Sequence, residues 1–406
     1  MQQRLTSSAA GFKRRSLMLI AGIATTAVTF ACGGTAAPAT PSDTTPIKVG
    51  TIMSLTGTLA VFGVPEKQAI QLAFDQVNAA GGINGRKTNV TIYDAAGDTA
   101  QGTTLTRKLL EEDNVKLIVG GGASSGVALA MQKLLTPKSI FFATGEADPT
   151  LSNPVDTNPT TFQTTVTSDT VVSSLLAYAS THGAKKVAVL GDTGAFGESG
   201  ITSAKNLASK YNVTVVSQDY AATSTDLTPQ LKQLQAQNPD AYIIWTASPS
   251  GVIAIKNAAA LGLKGLVMTS HAYGNPAFMT QAGDAAKILT VPVVNATVYS
   301  QAAAQLSAAQ KKELLDFASS YKAAYNQEIS IYAAEAYDAA QIAIRALKAT
   351  KGNTDGKKMA AALEAGGNFQ GVMGTFHFSK TDHYGLLPTD VKVAKWDGTN
   401  WVLQTS

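Results

Sequence analysis

The sequence predicts an α/β protein with two lobes, each a parallel sheet covered by helices on both faces. Short β-branched or aromatic segments alternate with helical patterns of roughly 10 to 15 residues, which is typical of such sheets. The alternation occurs in two successive series, and the second begins near Ser168. The chain of 406 residues is also too long for one ordinary hydrophobic core, so two domains are expected.

Composition and charge narrow the possible functions. With 45% hydrophobic and 15% charged residues, the chain is neither disordered nor a coiled coil. It has 32 Lys and Arg against 28 Asp and Glu, but four of the basic residues and no acid precede Cys32. Cleavage there leaves a mature chain without formal net charge, and so without bulk attraction to nucleic acid. The single cysteine excludes an internal disulfide and a cysteine-based zinc or iron–sulfur site.

The first 31 residues are typical of a signal peptide. A basic stretch that ends in Arg15 precedes an uncharged apolar stretch from Leu17 to Phe30. This stretch is shorter than the roughly 20 residues that a membrane-spanning helix needs. The segment from Arg14 to Leu17 also resembles a twin-arginine signal, so the export route stays open.

Cys32 is predicted to carry a lipid. The segment Thr29-Phe30-Ala31-Cys32 resembles the cleavage box of bacterial lipoproteins. In that box the cysteine becomes the lipidated N-terminus. The alternative is ordinary signal peptidase cleavage nearby. Residues 32–46 are rich in Ala, Thr and Pro and are expected to form a flexible tether, because they cannot bury apolar surface. The protein is therefore expected to be exported to the periplasm or cell surface and held at a membrane by its lipid.

The first series of elements begins with a strand at 47–53. Pro65 is predicted to open the next helix, which has one apolar face and ends at Gly81-Gly82. The pattern then predicts strands at 90–93, 115–119 and 140–143, with helices at about 102–112 and 125–135.

The second series follows the same alternation. It predicts helices at 168–180, 198–210, 226–237 and 251–261, and strands at 186–190, 213–216, 241–245, 266–269 and 288–292. Two later helices, at about 307–326 and 333–349, have no strand signal between them and are expected to pack on the first lobe.

One strand in each series ends in small residues at a helix N-terminus. Residues 116–130 (KLIVGGGASSGVALA) and 242–255 (YIIWTASPSGVIAI) share this order. Open α/β sheets bind ligands at such ends, where backbone N–H groups are free. The alternative is that the small residues only permit tight turns.

Several segments together resemble type I periplasmic solute-binding proteins of the branched-chain amino-acid (Leu/Ile/Val-binding) ABC transporter family. The resemblance begins with IMSLTGTLAVFG (52–63) and VNAAGGINGRKTNVTIYDAAGDTAQ (77–101). Further segments follow in the family's order: IVGGGASSGVALA (118–130), GDTGAFGESG (191–200), ALGLKG (260–265) and AYDAAQIAIRAL (336–347). The resemblance covers about residues 47–400.

This resemblance implies two doubly wound, Rossmann-like lobes joined by three hinge crossovers, near 162–167, 291–297 and 374–378. Lobe 1 would comprise 47–164 plus 295–375, and lobe 2 would comprise 165–294 plus 376–406. The family implies a monomeric binding protein that closes over a small carboxylate, such as a branched-chain or other amino acid or an aromatic or keto acid. It would deliver this ligand to the membrane subunits of an ABC permease, and a ligand sensor without transport is an alternative.

The resemblance also implies contacts to the ligand carboxylate. Ser124 matches the family's hydroxyl donor, Ser125 adds a second donor at the helix N-terminus, and Gly145 matches a backbone contact. Glu146 and Ala147 depart from the residues usual at the next positions, and Glu146 either faces the ligand or lies in an outward-facing loop.

The remaining predicted contacts concern the body and the ammonium group of the ligand. Phe62, Phe196 and Tyr332 match aromatic wall positions, with core packing as the alternative. Ala247 replaces a common Tyr and leaves room for a bulkier ligand. His271 stands where an acid usually pairs with the ligand ammonium, so the sequence favours a carboxylate over an α-amino acid unless Glu146 points inward.

A serine esterase is the rival hypothesis from another class. Gly122-Ala123-Ser124-Ser125-Gly126 satisfies the G-x-S-x-G pattern after a strand, and histidines follow it in the chain. No HGGG-type oxyanion segment stands upstream, and one hydrolase sheet has no place for the second series. The four histidines are scattered without paired carboxylates, so neither a metal nor a cofactor is expected.

Overall fold

The computed structural model describes residues 43–299 and 306–404. The predicted signal peptide, Cys32 and the tether up to residue 42 lie outside these residues. No helix in the described ranges combines the length and apolarity needed to cross a membrane.

The first sheet has five parallel strands in the order β2-β1-β3-β4-β5. Its strands are β1 (Ile47–Met53), β2 (Thr88–Asp94), β3 (Leu117–Val119), β4 (Phe141–Thr144) and β5 (Thr161–Gln163). The helices between them are α1 (Ala60–Ala79), α2 (Thr99–Glu111) and α3 (Ser125–Leu135). Strands β3, β4 and β5 are buried along their whole length, as expected for a parallel sheet covered on both faces.

The second sheet has seven strands in the order β14-β13-β10-β9-β8-β6-β7. Its strands are β6 (Lys186–Asp192), β7 (Thr214–Tyr220), β8 (Ala241–Trp245), β9 (Leu266–Thr269), β10 (Leu289–Val294), β13 (Val391–Trp396) and β14 (Trp401–Leu403). Strands β6 to β10 pair in parallel, whereas β13 is antiparallel to β10 and β14. Its helices are α4 (Ser168–Thr181), α5 (Ala195–Leu207), α6 (Thr228–Gln235), α7 (Ser250–Ala260) and α8 (Pro276–Ala282).

Within residues 306–404, three α-helices follow the second series: α9 (Ala308–Tyr325), α10 (Ile331–Ala349) and α11 (Gly356–Ala365). The structure places α9 and α10 against α1 and α10 against β4, so they cover the first sheet. Hydroxyl groups fix this packing: Tyr321 and Tyr325 donate to Gln68 at 2.6 and 2.9 Å, and Tyr337 donates to Gln76 at 3.0 Å.

The predicted α/β class with two parallel-sheet lobes is confirmed, and the lobe boundaries stay a prediction. The predicted start of α1, at Pro65, was wrong. The helix begins at Ala60, so Pro65 lies inside it; the carbonyl that its missing N–H would bond belongs to Val61, in the first turn of the helix. Sequence reasoning also missed α11 and the antiparallel pair β11 (Phe369–Gln370) and β12 (Thr375–Phe376).

Asp338 attaches α10 to the turn between β11 and β12. The side chain is fully buried and accepts hydrogen bonds from the N–H groups of Val372 and Met373, both at 2.8 Å. Burial nevertheless raises the pKa of its carboxyl to about 8. This contact bears on the predicted ligand site, because α10 carries the predicted wall residue Tyr332.

We expect Asp338→Ala to lower the free energy of unfolding by roughly 3 kcal/mol, because two buried N–H groups lose their acceptor. Urea denaturation measures the change. Asp316→Ala is the matched control on the neighbouring helix: its carboxylate is 63% exposed and pairs only with Lys312, so the loss should stay below about 0.5 kcal/mol. Equal losses in the two variants would contradict the structural role of Asp338.

Candidate functional site

A cavity of about 290 Å³ lies where strands of both sheets end. Its lining follows the carboxyl ends of β3, β4, β6, β8 and β9, the edge at which open α/β sheets bind ligands. All ten residues that the sequence predicts as ligand contacts line it: Phe62, Ser124, Ser125, Gly145, Glu146, Ala147, Phe196, Ala247, His271 and Tyr332. The structure thus brings the predicted set together, and contact with a ligand stays a prediction.

Ser124 caps the N-terminus of α3. Its Oγ accepts a hydrogen bond from the N–H of Val127 at 3.5 Å. A hydroxyl that accepts one hydrogen bond still has its own hydrogen to donate, so Ser124 remains able to donate into the cavity. The preceding turn requires positive φ at Gly122 and Ala123, 83° and 54°, and it turns the backbone from β3 into the helix.

Aromatic rings form two walls of the cavity. Phe62 lies 4.5 Å from Tyr332 between ring centroids, and the Tyr332 hydroxyl donates to the carbonyl of Ala272 at 3.0 Å. On the other wall, Phe196 lies 5.2 Å from Trp245, whose Nε1 donates back to the Phe196 carbonyl at 2.9 Å. These contacts hold apolar ring faces around the space.

Glu146 points into the cavity and is only 8% exposed, so it is not an outward-facing loop residue. Burial raises the pKa of its carboxyl to about 8, although the backbone N–H groups of Ser124 and Ala123 act to lower it. The Glu146 Oε1 atom is buried and has no hydrogen-bond partner among the described residues.

Two further glutamates line the cavity, and sequence reasoning missed both. Glu66 lies one turn after Phe62 on α1, and Glu335 lies one turn after Tyr332 on α10; they are 3% and 4% exposed. Glu335 accepts a hydrogen bond from the hydroxyl of Thr165. Burial raises the pKa of both carboxyls well above the usual range, and the neighbouring glutamates add to this effect. The signal available in the sequence was an acid three or four residues after a predicted wall residue, on the same helical face.

His271 and Asp192 lie on the second-sheet side of the cavity. Burial lowers the pKa of His271 to about 4, so the imidazole is neutral at physiological pH, and its Nδ1 has no hydrogen-bond partner in the described part of the chain. Asp192 accepts hydrogen bonds from the hydroxyl of Thr246 and from the N–H of Gly194. Burial raises the pKa of Asp192, and these two hydrogen bonds oppose the shift.

Ser124 is not arranged as a nucleophile. Its Oγ contacts an N–H group of its own helix, and the unpartnered Nδ1 of His271 does not contact it. His383 is committed elsewhere: its ring nitrogens contact the carbonyl of Thr161 and a carboxylate oxygen of Glu364, each at 3.1 Å. Within residues 43–299 and 306–404, no group of three His, Cys, Asp or Glu lies close enough to hold a metal ion.

The fold and the cavity together define a two-lobed solute-binding protein. A model of the periplasmic binding protein family matches residues 46–400, so the chain belongs to that family, as the sequence predicts. Named relatives are binding proteins, so the chain belongs to a family of solute-binding proteins rather than of enzymes.

Three similar proteins show which ligands such relatives bind. The Leu/Ile/Val-binding protein BraC3 of Rhizobium johnstonii is 23% identical over 86% of this chain and 92% of its own length. The substrate-binding protein LivJ of Streptococcus pneumoniae, solved with isoleucine, is 23% identical with a TM-score of 0.73 over 88% of this chain and 100% of its own. A solute-binding protein of R. palustris, solved with benzoate, is 21% identical with a TM-score of 0.75 over 88% and 95%.

The raised pKa of Glu146 predicts that stability falls as pH rises. Between its ordinary value of 4.5 and its folded value of about 8, the folded chain retains a proton that the unfolded chain releases. Raising the pH through this window therefore favours unfolding, by up to about 1.4 kcal/mol per pH unit. Glu146→Gln should reduce this slope and raise the melting temperature at pH 8.

Thermal unfolding of the ligand-free protein at several pH values between 5 and 8.5 tests this prediction. Glu111→Gln, at an exposed position near the end of α2, is the control and should retain the wild-type slope. An unchanged slope in Glu146→Gln would show that this carboxyl is ionised in the folded protein at neutral pH.

Proposed function

We propose that the chain is the extracytoplasmic solute-binding component of an ABC importer. It captures a small organic molecule of about amino-acid size between its two lobes and presents it to a membrane permease. The observation that carries the proposal is the cavity at the strand ends of both sheets, lined by every residue that the family resemblance assigns to ligand contact. Membership in the periplasmic binding protein family supports it.

Closure of the lobes on the ligand is the central step of this function. The lining residues come from both sheets, so a ligand there contacts both lobes and favours the closed arrangement. Burial of the ligand surface by Phe62 on one wall and Phe196 on the other would then supply much of the affinity.

A bound ligand should stabilise the protein and contract it. At a hundredfold excess over its Kd, a ligand raises the free energy of unfolding by about 2.7 kcal/mol. We expect a matching rise in melting temperature and a smaller radius of gyration by small-angle X-ray scattering. The screen should use amino acids, amines and carboxylates of the size of leucine.

Two variants make the closure experiment specific. Phe196→Ala removes a wall of the cavity and should weaken the stabilisation, whereas Leu387→Ala, at a side chain 49% exposed and outside the cavity, should not. A compound that raises the melting temperature while the scattering curve stays unchanged would contradict closure about a hinge.

We further propose that the protein is a lipoprotein exported through its N-terminal signal and anchored at Cys32. The support is the basic and apolar pattern of residues 1–31 and the small residues before this lone cysteine. Such an anchor keeps the binding protein beside its permease.

Cys32→Ser should abolish incorporation of labelled palmitate in cells. The protein should then be released or remain attached through an uncleaved apolar segment, which a mass shift on a denaturing gel distinguishes. The wild-type chain is the positive control, because Cys32 is its only cysteine. Labelling that survives the substitution would show that the lipid is attached elsewhere.

A further inference from the structure

Three glutamates converge on the cavity from three different elements. Glu66 comes from α1, Glu146 from the loop after β4, and Glu335 from α10, and each is at least nine-tenths buried. No Lys or Arg lies among the described residues that line the cavity. Buried carboxylates are unfavourable unless a cation compensates them, so these carboxyls keep their protons unless a cation from outside the protein balances the charge.

Glu146 also occupies the position at which a ligand carboxylate would bind. Its carboxyl faces the backbone N–H groups of Ala123 and Ser124 at the N-terminus of α3, the positive end of the helix dipole. A ligand carboxylate placed there would compete with Glu146 for the same donors, and it would be repelled wherever Glu146 is ionised.

Two buried polar atoms on the lining are left for the ligand. Glu146 Oε1 is an acceptor and has no hydrogen-bond partner among the described residues. The Nδ1 atom of neutral His271 also has no partner among them, and it donates or accepts a hydrogen bond according to its tautomer. Unsatisfied buried polar atoms are rare in native proteins and are usually satisfied by water, an ion or a ligand. An ammonium group is a donor only, so it suits Glu146 Oε1 without leaving a new unpaired acceptor.

We propose that the cavity binds a small organic cation, a primary amine with an apolar body, and that the ligand brings no carboxylate of its own. This inference rests on the proposed function, because it names the ligand class of the same cavity. It departs from the small carboxylate that the sequence predicts, since that prediction assumed that the α3 N-terminus was free and counted at most one inward acid.

The aromatic walls fit the rest of such a ligand. Phe62 and Tyr332 lie 4.5 Å apart beside Glu66 and Glu335 on the same two helices, so ring faces and carboxyls border the same space. Aromatic faces attract a desolvated cation and accommodate its apolar body. The Tyr332 hydroxyl donates to the Ala272 carbonyl, which leaves the ring rather than the hydroxyl for the ligand.

Two sets of compounds with matched bodies test the charge. The first is 3-methylbutylamine, leucine and 4-methylpentanoate; the second is 2-phenylethylamine, phenylalanine and 3-phenylpropanoate. Titration calorimetry at pH 7.5 with the full mature chain should show that at least one amine binds and that each acid binds at least about tenfold more weakly than its amine. Calcium chloride alone should give no binding.

The pH dependence is a second readout. Six titratable side chains among the described residues line this cavity: Glu66, Glu146, Glu335, Asp192, His271 and Tyr332. Because Glu146 is protonated below about pH 8, an ammonium ligand must displace its proton, so amine affinity should rise between pH 6 and 8 by up to about tenfold per pH unit. A carboxylate ligand would show the opposite slope.

Variants connect the effect to this charge. Glu146→Gln should weaken amine binding by about tenfold or more and flatten its pH dependence, whereas Glu111→Gln should change neither. Glu335→Gln gives a second, independent variant in case Glu146→Gln does not fold, as judged by circular dichroism. Retained amine affinity in folded variants of both glutamates would overturn the inference.

The outcomes separate this inference from the proposed function. Tighter binding of leucine, phenylalanine or an acid than of the matching amine overturns the amine ligand and leaves a solute-binding protein intact. Binding of calcium in place of the amines also overturns it. If neither amine binds at 10 mM, the amine ligand is overturned; the proposed function is contradicted only if the wider screen of amino acids, amines and carboxylates also yields no ligand.

Discussion

The burial of carboxyl groups is the constraint on which the organisation of this cavity depends. Glu66, Glu146 and Glu335 are buried around the cavity, and the described residues that line it include no Lys or Arg. Their charged forms are unfavourable there, so the ligand-free protein holds protons that the same residues would release in water. The apolar core of both sheets must supply the stability that this arrangement removes, a common trade-off at functional sites.

The small residues around the cavity provide room for these acids. A Cβ atom at Gly121 would lie 2.5 Å from Cγ of Glu146, and one at Gly145 would lie 2.7 Å from Cγ of Glu335. Neither distance is sterically possible without displacing the acid. The glycines that the sequence presents as tight turns after β3 and β4 are therefore also the positions that let the carboxyls approach the strand ends.

Much of the fold and of the lining could be predicted from the sequence because both rest on local patterns. Strand and helix alternate at regular spacing, and the ten predicted residues follow strand ends or stand in recognisable segments. Glu66 and Glu335 could not be placed in this way, because an acid on a helix is usually solvated and only the packing of α1 against α10 brings these two inward. The position of Glu146 was likewise undecidable, since a loop residue has no periodicity that indicates its direction. The pair β11 and β12, two residues each, is too short for any periodic signal.

The proposed ligand charge and the proposed closure of the lobes are connected through the buried carboxyls. With protonated carboxyls the ligand-free cavity is near neutral, and a cation that enters in exchange for a proton keeps it so. An anion has no such exchange available: it would add charge beside Glu146 and compete for the N–H groups at the start of α3. A cation also binds most strongly when closure excludes water, because the attraction between opposite charges increases as the local dielectric falls. With the proposed closure and the proposed ligand, the free energy that favours closure and the free energy that selects the ligand come from the same carboxyls, so a wrongly charged solute would be rejected at the step at which the lobes would close.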